Sequence, residues 1–243
     1  MHIQVIISIF EFILIIGYNV YMKTLIIIPT YNEQANIENL IKDIQSYGYD
    51  YLIINDCSTD STKDVIQNNE YNYLDLSINV GISGVTRIGF KYAYENDYDC
   101  VVCIDGDGQH QPKYVHDLIK EIDNGYDYVV GSRFVTEKKP YTLRMLGSRL
   151  ISIFIKLKTG VKVNDPTSGM RALGKNVIKD FSKNMNFYAE PDAVCYVLHN
   201  KYKFKEIQVE MKDRENGVSY FKNPFKTVKF MIGVLLSIIF VQW

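Results

Sequence analysis

Apolar residues along this chain fall into two alternating spacings. Residues 24–28 form a nearly continuous apolar run stopped by Pro29, as in a strand buried on both faces. Ile37, Leu40, Ile41 and Ile44 then recur at three and four residues, which puts them on one face of a helix. The alternation continues. Strands are expected at 51–54, 73–77, 100–104 and 128–130, and helices at 61–66, 84–94 and 113–122. Asp60 or Ser61 can cap the helix at 61–66, and Pro112 suits the start of the helix at 113–122. This order predicts an α/β fold: a mostly parallel sheet with helices on both faces. Beyond about Thr136 the pattern is less regular. An amphipathic helix over 143–157 carries Arg144, Arg149 and Lys156. A turn over 165–171 then runs into a short strand, and a helix over 189–200 precedes a short strand over 205–209.

The two ends differ from this pattern. Residues 3–21 are almost wholly apolar apart from Glu11. Their length suits a membrane span, so residues 1–21 are either an anchor or an extension preceding a start at Met22. No Lys or Arg precedes the run, which disfavours a signal peptide. At the other end, residues 221–243 are apolar after Lys222, Lys226 and Lys229, but only 14 residues follow Lys229. A bilayer crossing needs about 20. A membrane-associated helix lying in the interface fits, as does one paired with another membrane protein. The alternative is a helix packed on the domain's own core. The 22–220 stretch between is long enough for one large domain.

Composition narrows the class. The chain of 243 residues is 47% hydrophobic and 23% charged with a net charge of -1. That is a folded globular balance with no basic field for nucleic acid. Cys100 and Cys103 have the spacing of a metal knuckle, but they sit on an expected strand and point to opposite faces. Buried core thiols are the better reading.

The chemistry concentrates at strand ends, where open α/β sheets bind ligands. Asp105-Gly-Asp-Gly-Gln109 follows the fourth strand. Two carboxylates one glycine apart can converge on a hard cation such as Mg²⁺ or Mn²⁺, and Gln109 can add a carbonyl oxygen. A calcium loop would need further oxygens and a distal Glu, whereas His110, Gln111 and Pro112 follow here.

Three more segments fall at strand ends: Pro29-Thr-Tyr-Asn-Glu33, Asn55-Asp-Cys-Ser-Thr-Asp60, and Asn79-Val-Gly-Ile-Ser-Gly84 with Arg87. Together with the acidic turn they resemble the motif series of family 2 glycosyltransferases with the nucleotide-sugar-binding GT-A fold, over residues 23–220. The resemblance implies a UDP- or GDP-sugar donor. Tyr31 and Glu33 would meet its base and ribose, Asp56 would accept from a base N–H, and Arg87 would be a second contact. Pro29, Gly81 and Gly106 would line the same site. Asp105 would sit near ribose and metal, and Asp107 and Gln109 would bind the metal.

Gly131-Ser-Arg133, Arg144, Ser148 and the turn from Asp165 to Arg171 resemble the polyprenyl-phosphate (dolichol-phosphate) mannose or glucose synthases. In that subgroup a basic pocket takes the lipid phosphate, which here implies Arg133, Arg144 and Ser148, with Arg214 in a closing loop. The implied reaction inverts the anomeric centre at the cytoplasmic face of the cell membrane. A phosphate acceptor needs no strong base. A sugar-hydroxyl acceptor, as in capsule or cell-wall synthesis, would need one, with Asp165 first and Glu190 second. A non-catalytic nucleotide-sugar-binding scaffold is the third reading. The position before Asp56 is often Asp in the family and is Asn55 here. Many lipid-phosphate members carry two or more C-terminal membrane helices, whereas this chain has a single apolar run, so it either binds the surface only or shares its anchor with a separate small membrane protein.

Overall fold

The computed structural model describes residues 22–184, 190–213 and 224–240. Seven strands form one sheet: β1 (Thr24–Thr30), β2 (Asp50–Asn55), β3 (Tyr73–Asp75), β4 (Cys100–Cys103), β5 (Tyr128–Ser132), β6 (Arg171–Gly174) and β7 (Phe204–Gln208). Their order is β3-β2-β1-β4-β6-β5-β7. Every strand runs parallel to its neighbours except β6, which is antiparallel to both β4 and β5. The mostly parallel sheet is as expected. The insertion of a reversed strand between β4 and β5 is not deducible from strand–helix alternation, because it depends on how the chain returns after a long excursion.

The described helices are α1 (Ile37–Ser46), α2 (Thr62–Asn68), α3 (Gly81–Glu95), α4 (Val115–Asp123), α5 (Leu143–Thr159), α6 (Lys175–Asn184), α7 (Glu190–His199) and α8 (Pro224–Phe240). Side chains of β1 alternate between two cores, as the pleat requires. Leu25 and Ile27 join Val85 and Phe90 of α3, Ile151 and Ile155 of α5, and Phe181 of α6. Ile26 and Ile28 join the α1 stripe of Ile37, Leu40, Ile41 and Ile44, with Val115 and Leu118 of α4. Cys100 and Cys103 fall in opposite cores, both free and buried. Burial pushes the Cys100 thiol up to about 12, which suits a packing role. Helix α6 was not foreseen, although Val177, Ile178 and Phe181 mark its buried face.

The C-terminal helix agrees with the expectation that it does not span a bilayer, and in part it takes up the packed alternative. Among the described residues no helix is long and apolar enough to cross a membrane. Helix α8 packs on α5 and α7, burying Val234 and Ile238 in the domain core. Its other side exposes Val228, Ile232, Leu236 and Phe240, so a segment that reads as apolar all round divides between core and surface. Residues 1–21 lie outside the described residues.

Candidate active site

The carboxyl ends of β1, β2, β4 and β5 open on one side of the sheet. After β2, Asp56 is 4% exposed. Its Oδ1 accepts from Val80 N at 2.7 Å and its Oδ2 from Gly81 N at 2.9 Å. A carboxylate at these amides complements the positive end of α3 and satisfies donors that have no partner within the helix. Each oxygen keeps a further lone pair. Asn55 holds its own loop. Its Nδ2 donates to Asp75 Oδ1, while its Oδ1 accepts from Ser58 N and Oγ. The loops after β1 and β2 interlock, with Asn32 N donating to Ser58 Oγ and Glu33 N to Thr62 Oγ1. Tyr31 stands 47% exposed over this floor, whereas Glu33 is buried, its Oε2 accepting from Asn36 Nδ2 at 2.7 Å. Pro29 is half-buried beside them, and Arg87 is exposed on α3.

The acidic turn is held from three directions. Gly106 N donates to Pro29 O at 3.2 Å. A Cβ at Gly106 would lie 3.0 Å from Thr30 Oγ1 and 3.1 Å from Pro29 O, so a larger residue would crowd the turn against β1. Asp107 Oδ1 accepts from Gln109 N at 3.1 Å, a local Asx turn. Asp105 N donates to His110 Nδ1 at 3.0 Å. His110 is 4% exposed, and burial depresses its pKa to about 4, although the Asp107 charge pulls the other way. The ring is therefore neutral with its proton on Nε2, and its 3.7 Å approach to Asp105 Oδ2 is not an ion pair. From outside, Lys212 N donates to Gln109 O, and Gln109 Nε2 donates to Lys212 O at 3.2 Å.

A basic cluster faces this turn. Arg133 Nε and Nη2 grip Asp165 Oδ2 and Oδ1 at 2.7 and 2.9 Å, and Arg133 N also donates to Oδ2. Asp165 is fully buried, and its own N–H and that of Asn164 donate to Glu206. Both oxygens of Asp165 are thus engaged with Arg133, which suits a holder of that arginine better than a general base. Arg144 stands at the rim of α5. Desolvation by its neighbours and then the Arg133 charge lower its pKa, while Asp165 and Asp107 oppose. The fields of Asp165 and Asp107 thus reach Arg144. Ser148, one helical turn beyond Arg144, is buried and accepts from Lys139 Nζ at 2.9 Å. Arg214 lies outside the described residues. Glu190, at the start of α7, meets the buried Arg171 at 4.0 Å.

The description "Glycosyl transferase family 2" matches residues 25–182. The chain belongs to glycosyl transferase family 2. Among relatives of this family 2 chain, the UDP-N-acetylglucosamine–dolichyl-phosphate N-acetylglucosaminyltransferase of Methanococcus voltae is 32% identical, covering 87% of this chain and 94% of that protein. The polyprenol monophosphomannose synthase of Mycolicibacterium smegmatis is 26% identical, over 81% of this chain and 80% of that protein. In fold, the chain resembles glucosyl-3-phosphoglycerate synthase from Mycobacterium tuberculosis, solved with Mn²⁺, UDP-glucose and phosphoglyceric acid. The TM-score is 0.71 at 16% identity, covering 90% of this chain and 80% of that one. The sheet is thus GT-A-like.

The donor set suits a shared divalent ion. Among the described residues no group of three or more His, Cys, Asp or Glu could enclose a metal. Two carboxylates on an open turn, with the Asp105 side chain 43% exposed, are what Mg²⁺ uses when phosphate oxygens and water complete its shell. Gln109 spends its amide nitrogen on Lys212, which leaves its oxygen as the group able to meet a cation. Three contributors escaped the sequence reading of the site. His110 signals only as the residue after Gln109. A Cβ at Gly169 would lie 2.7 Å from Asp105 Oδ2 and 3.1 Å from His110 Cε1, a closeness that no local pattern announces. Lys139 looks like a loop lysine until α5 folds against it.

Proposed function

We propose that this glycosyltransferase moves a hexose-type sugar, with inversion, from a UDP- or GDP-sugar to a polyprenyl phosphate at the cytoplasmic face of the cell membrane. The observation that carries the reading is the cluster of Arg133, Arg144 and Ser148 beside the acidic turn, with Asp165 committed to Arg133. A site rich in cations, with Asp165 engaged, suits an acceptor that is already anionic. Relatives named for dolichyl-phosphate and polyprenol acceptors support it.

On the donor side, Tyr31 offers a stacking face, and Asp56 and Glu33 offer acceptors for base and ribose. Pro29, Gly81 and Gly106 line the backbone path, and Arg87 adds a cation above it. Asp105 and Asp107, with Gln109, would hold Mg²⁺ or Mn²⁺, which supplies charge neutralisation on the departing nucleoside diphosphate. Arg133 and Arg144 orient the acceptor phosphate so that one oxygen faces the anomeric carbon. Arg214 would add a further cation. The hydroxyl-acceptor alternative would rest on Glu190 as base, because Asp165 is engaged.

Membrane contact is supported by two adjacent helix faces. Helix α5 exposes Leu146, Leu150, Ile153 and Leu157, and α8 exposes Val228, Ile232 and Leu236. Neither helix contains Asp or Glu, so the surface suits an anionic monolayer. These faces would attach the protein alone or together with a small membrane protein. The test is transfer of radiolabelled sugar from UDP-glucose, UDP-N-acetylglucosamine or GDP-mannose, with Mn²⁺, into vesicles carrying undecaprenyl phosphate. Label in the organic extract is expected. Label confined to water-soluble glycan refutes the lipid acceptor.

A further inference from the structure

Lys139 has no part in the scheme above, yet its ammonium is built into the basic cluster. It lies on the segment between β5 and α5, half-buried. Arg149 Nη2 donates to Lys139 O at 2.6 Å and Nη1 to Pro140 O at 3.2 Å, so α5 clamps the backbone from which the side chain rises. The Nζ donates to Ser148 Oγ at 2.9 Å and lies 5.5 Å from the centre of the Phe134 ring, which also carries the Arg133 guanidinium at 5.1 Å. Among the described residues Lys139 forms no ion pair.

The four charges around it sum to zero, which leaves its own without a counter-ion. Asp165, Glu206, Arg133 and Arg149 are the charged groups that act on it. Asp165 is gripped by Arg133, and Glu206 accepts the backbone N–H groups of Asn164 and Asp165. Lys139 is left as a partly desolvated cation resting on a hydroxyl. Such a group is costly unless an anion arrives. The serine it rests on is one of the residues expected to meet the acceptor phosphate.

We propose that Lys139 is a direct ligand of the acceptor's phosphate, passing from Ser148 to a phosphate oxygen when the acceptor binds. This rests on the lipid-phosphate reading and adds a specificity residue to it. A compact ammonium with three donors can hold the hydroxyl and a phosphate oxygen together. It favours a phosphate monoester dianion over a neutral hydroxyl acceptor, and it makes acceptor binding sensitive to alkali. Burial lowers its pKa to about 8; Asp165 and Glu206 oppose this, and Arg149 and Arg133 add to it. As pH rises through that value the free protein loses the cation. The KM for acceptor therefore climbs on the alkaline side.

The test is steady-state kinetics of the full chain on vesicles carrying undecaprenyl phosphate, from pH 6.5 to 9.5, with a melting curve for each variant. Lys139→Met is expected to raise the acceptor KM about tenfold, the equivalent of about 1.4 kcal/mol, with donor KM unchanged and no alkaline climb left. Lys139→Arg, always charged, is expected to recover most of the affinity and also to flatten the profile. An acceptor KM within twofold of the parent in Lys139→Met overturns the proposal. So does an equal rise in donor KM, or an alkaline climb that survives in Lys139→Arg. If the parent protein transfers nothing to lipid phosphate, the acceptor reading itself has failed. Calorimetry with the soluble probe geranyl phosphate then decides Lys139 alone: weaker binding by Lys139→Met supports it, and equal or absent binding refutes it.

Discussion

The backbone N–H of Asp105 donates to Nδ1 of the buried His110 at 3.0 Å, so a neutral imidazole holds the first residue of the acidic turn. Replacing His110 with Leu, which is close to it in volume, leaves that N–H without its acceptor. A buried donor left unsatisfied costs about 1–3 kcal/mol. The expected result is a lower melting temperature together with weaker Mn²⁺-dependent donor binding, read by thermal shift and by calorimetry. Unchanged donor affinity would show that the imidazole does not set the geometry of the turn.

Gly169 tests the same geometry from below. A methyl at this position would meet the Asp105 carboxylate at 2.7 Å, and something must move. Gly169→Ala is expected to fold, because the crowding is confined to the turn, but to need a several-fold higher Mn²⁺ concentration for half-maximal activity. A metal titration with the same midpoint as the parent would refute this.

Asp107→Ala removes one of two carboxylates that would hold the metal. Transfer is expected to fall about a hundredfold or more, in the range seen when a group stabilising leaving-group charge is lost. Excess chelator is expected to do the same to the parent protein. Full activity in either experiment would remove the metal from the scheme.

Asp165 separates a base from a holder. Asp165→Ala leaves Arg133 without its partner in a largely buried site, and breaking such a pair costs about 3–5 kcal/mol. A large drop in melting temperature with an equally raised acceptor KM is expected. An unchanged melting temperature with abolished turnover would instead revive Asp165 as the base for a hydroxyl acceptor.

The exposed faces of α5 and α8 predict membrane attachment without a membrane span. Leu150, Ile153 and Leu236 are 51%, 52% and 50% exposed. Changing all three to Glu is expected to move stability by little, since exposed substitutions usually stay within about 0.5 kcal/mol each. Sedimentation with anionic vesicles is expected to be lost. If the variant still sediments with vesicles, these faces are not the attachment surface.

The chain by itself determined its β1-to-β5 framework and the chemistry at its strand ends. Hydrophobic period is a local property, and Ile37, Leu40, Ile41 and Ile44 mark their helix whatever lies beneath it. The Asp105–Asp107 turn is likewise legible as a candidate, because two carboxylates one glycine apart stand among three further polar segments at strand ends. Tertiary structure decided what those residues lean on. It put antiparallel β6 between β4 and β5, which brings Gly169 under Asp105. It closed Arg133 on Asp165 across 32 residues of chain. It set Lys139 on Ser148 and gave one side of α8 to the core. Each of these is a contact between segments whose separation along the chain leaves no mark on local spacing. Charge, burial and close approach are settled only once the sheet has assembled.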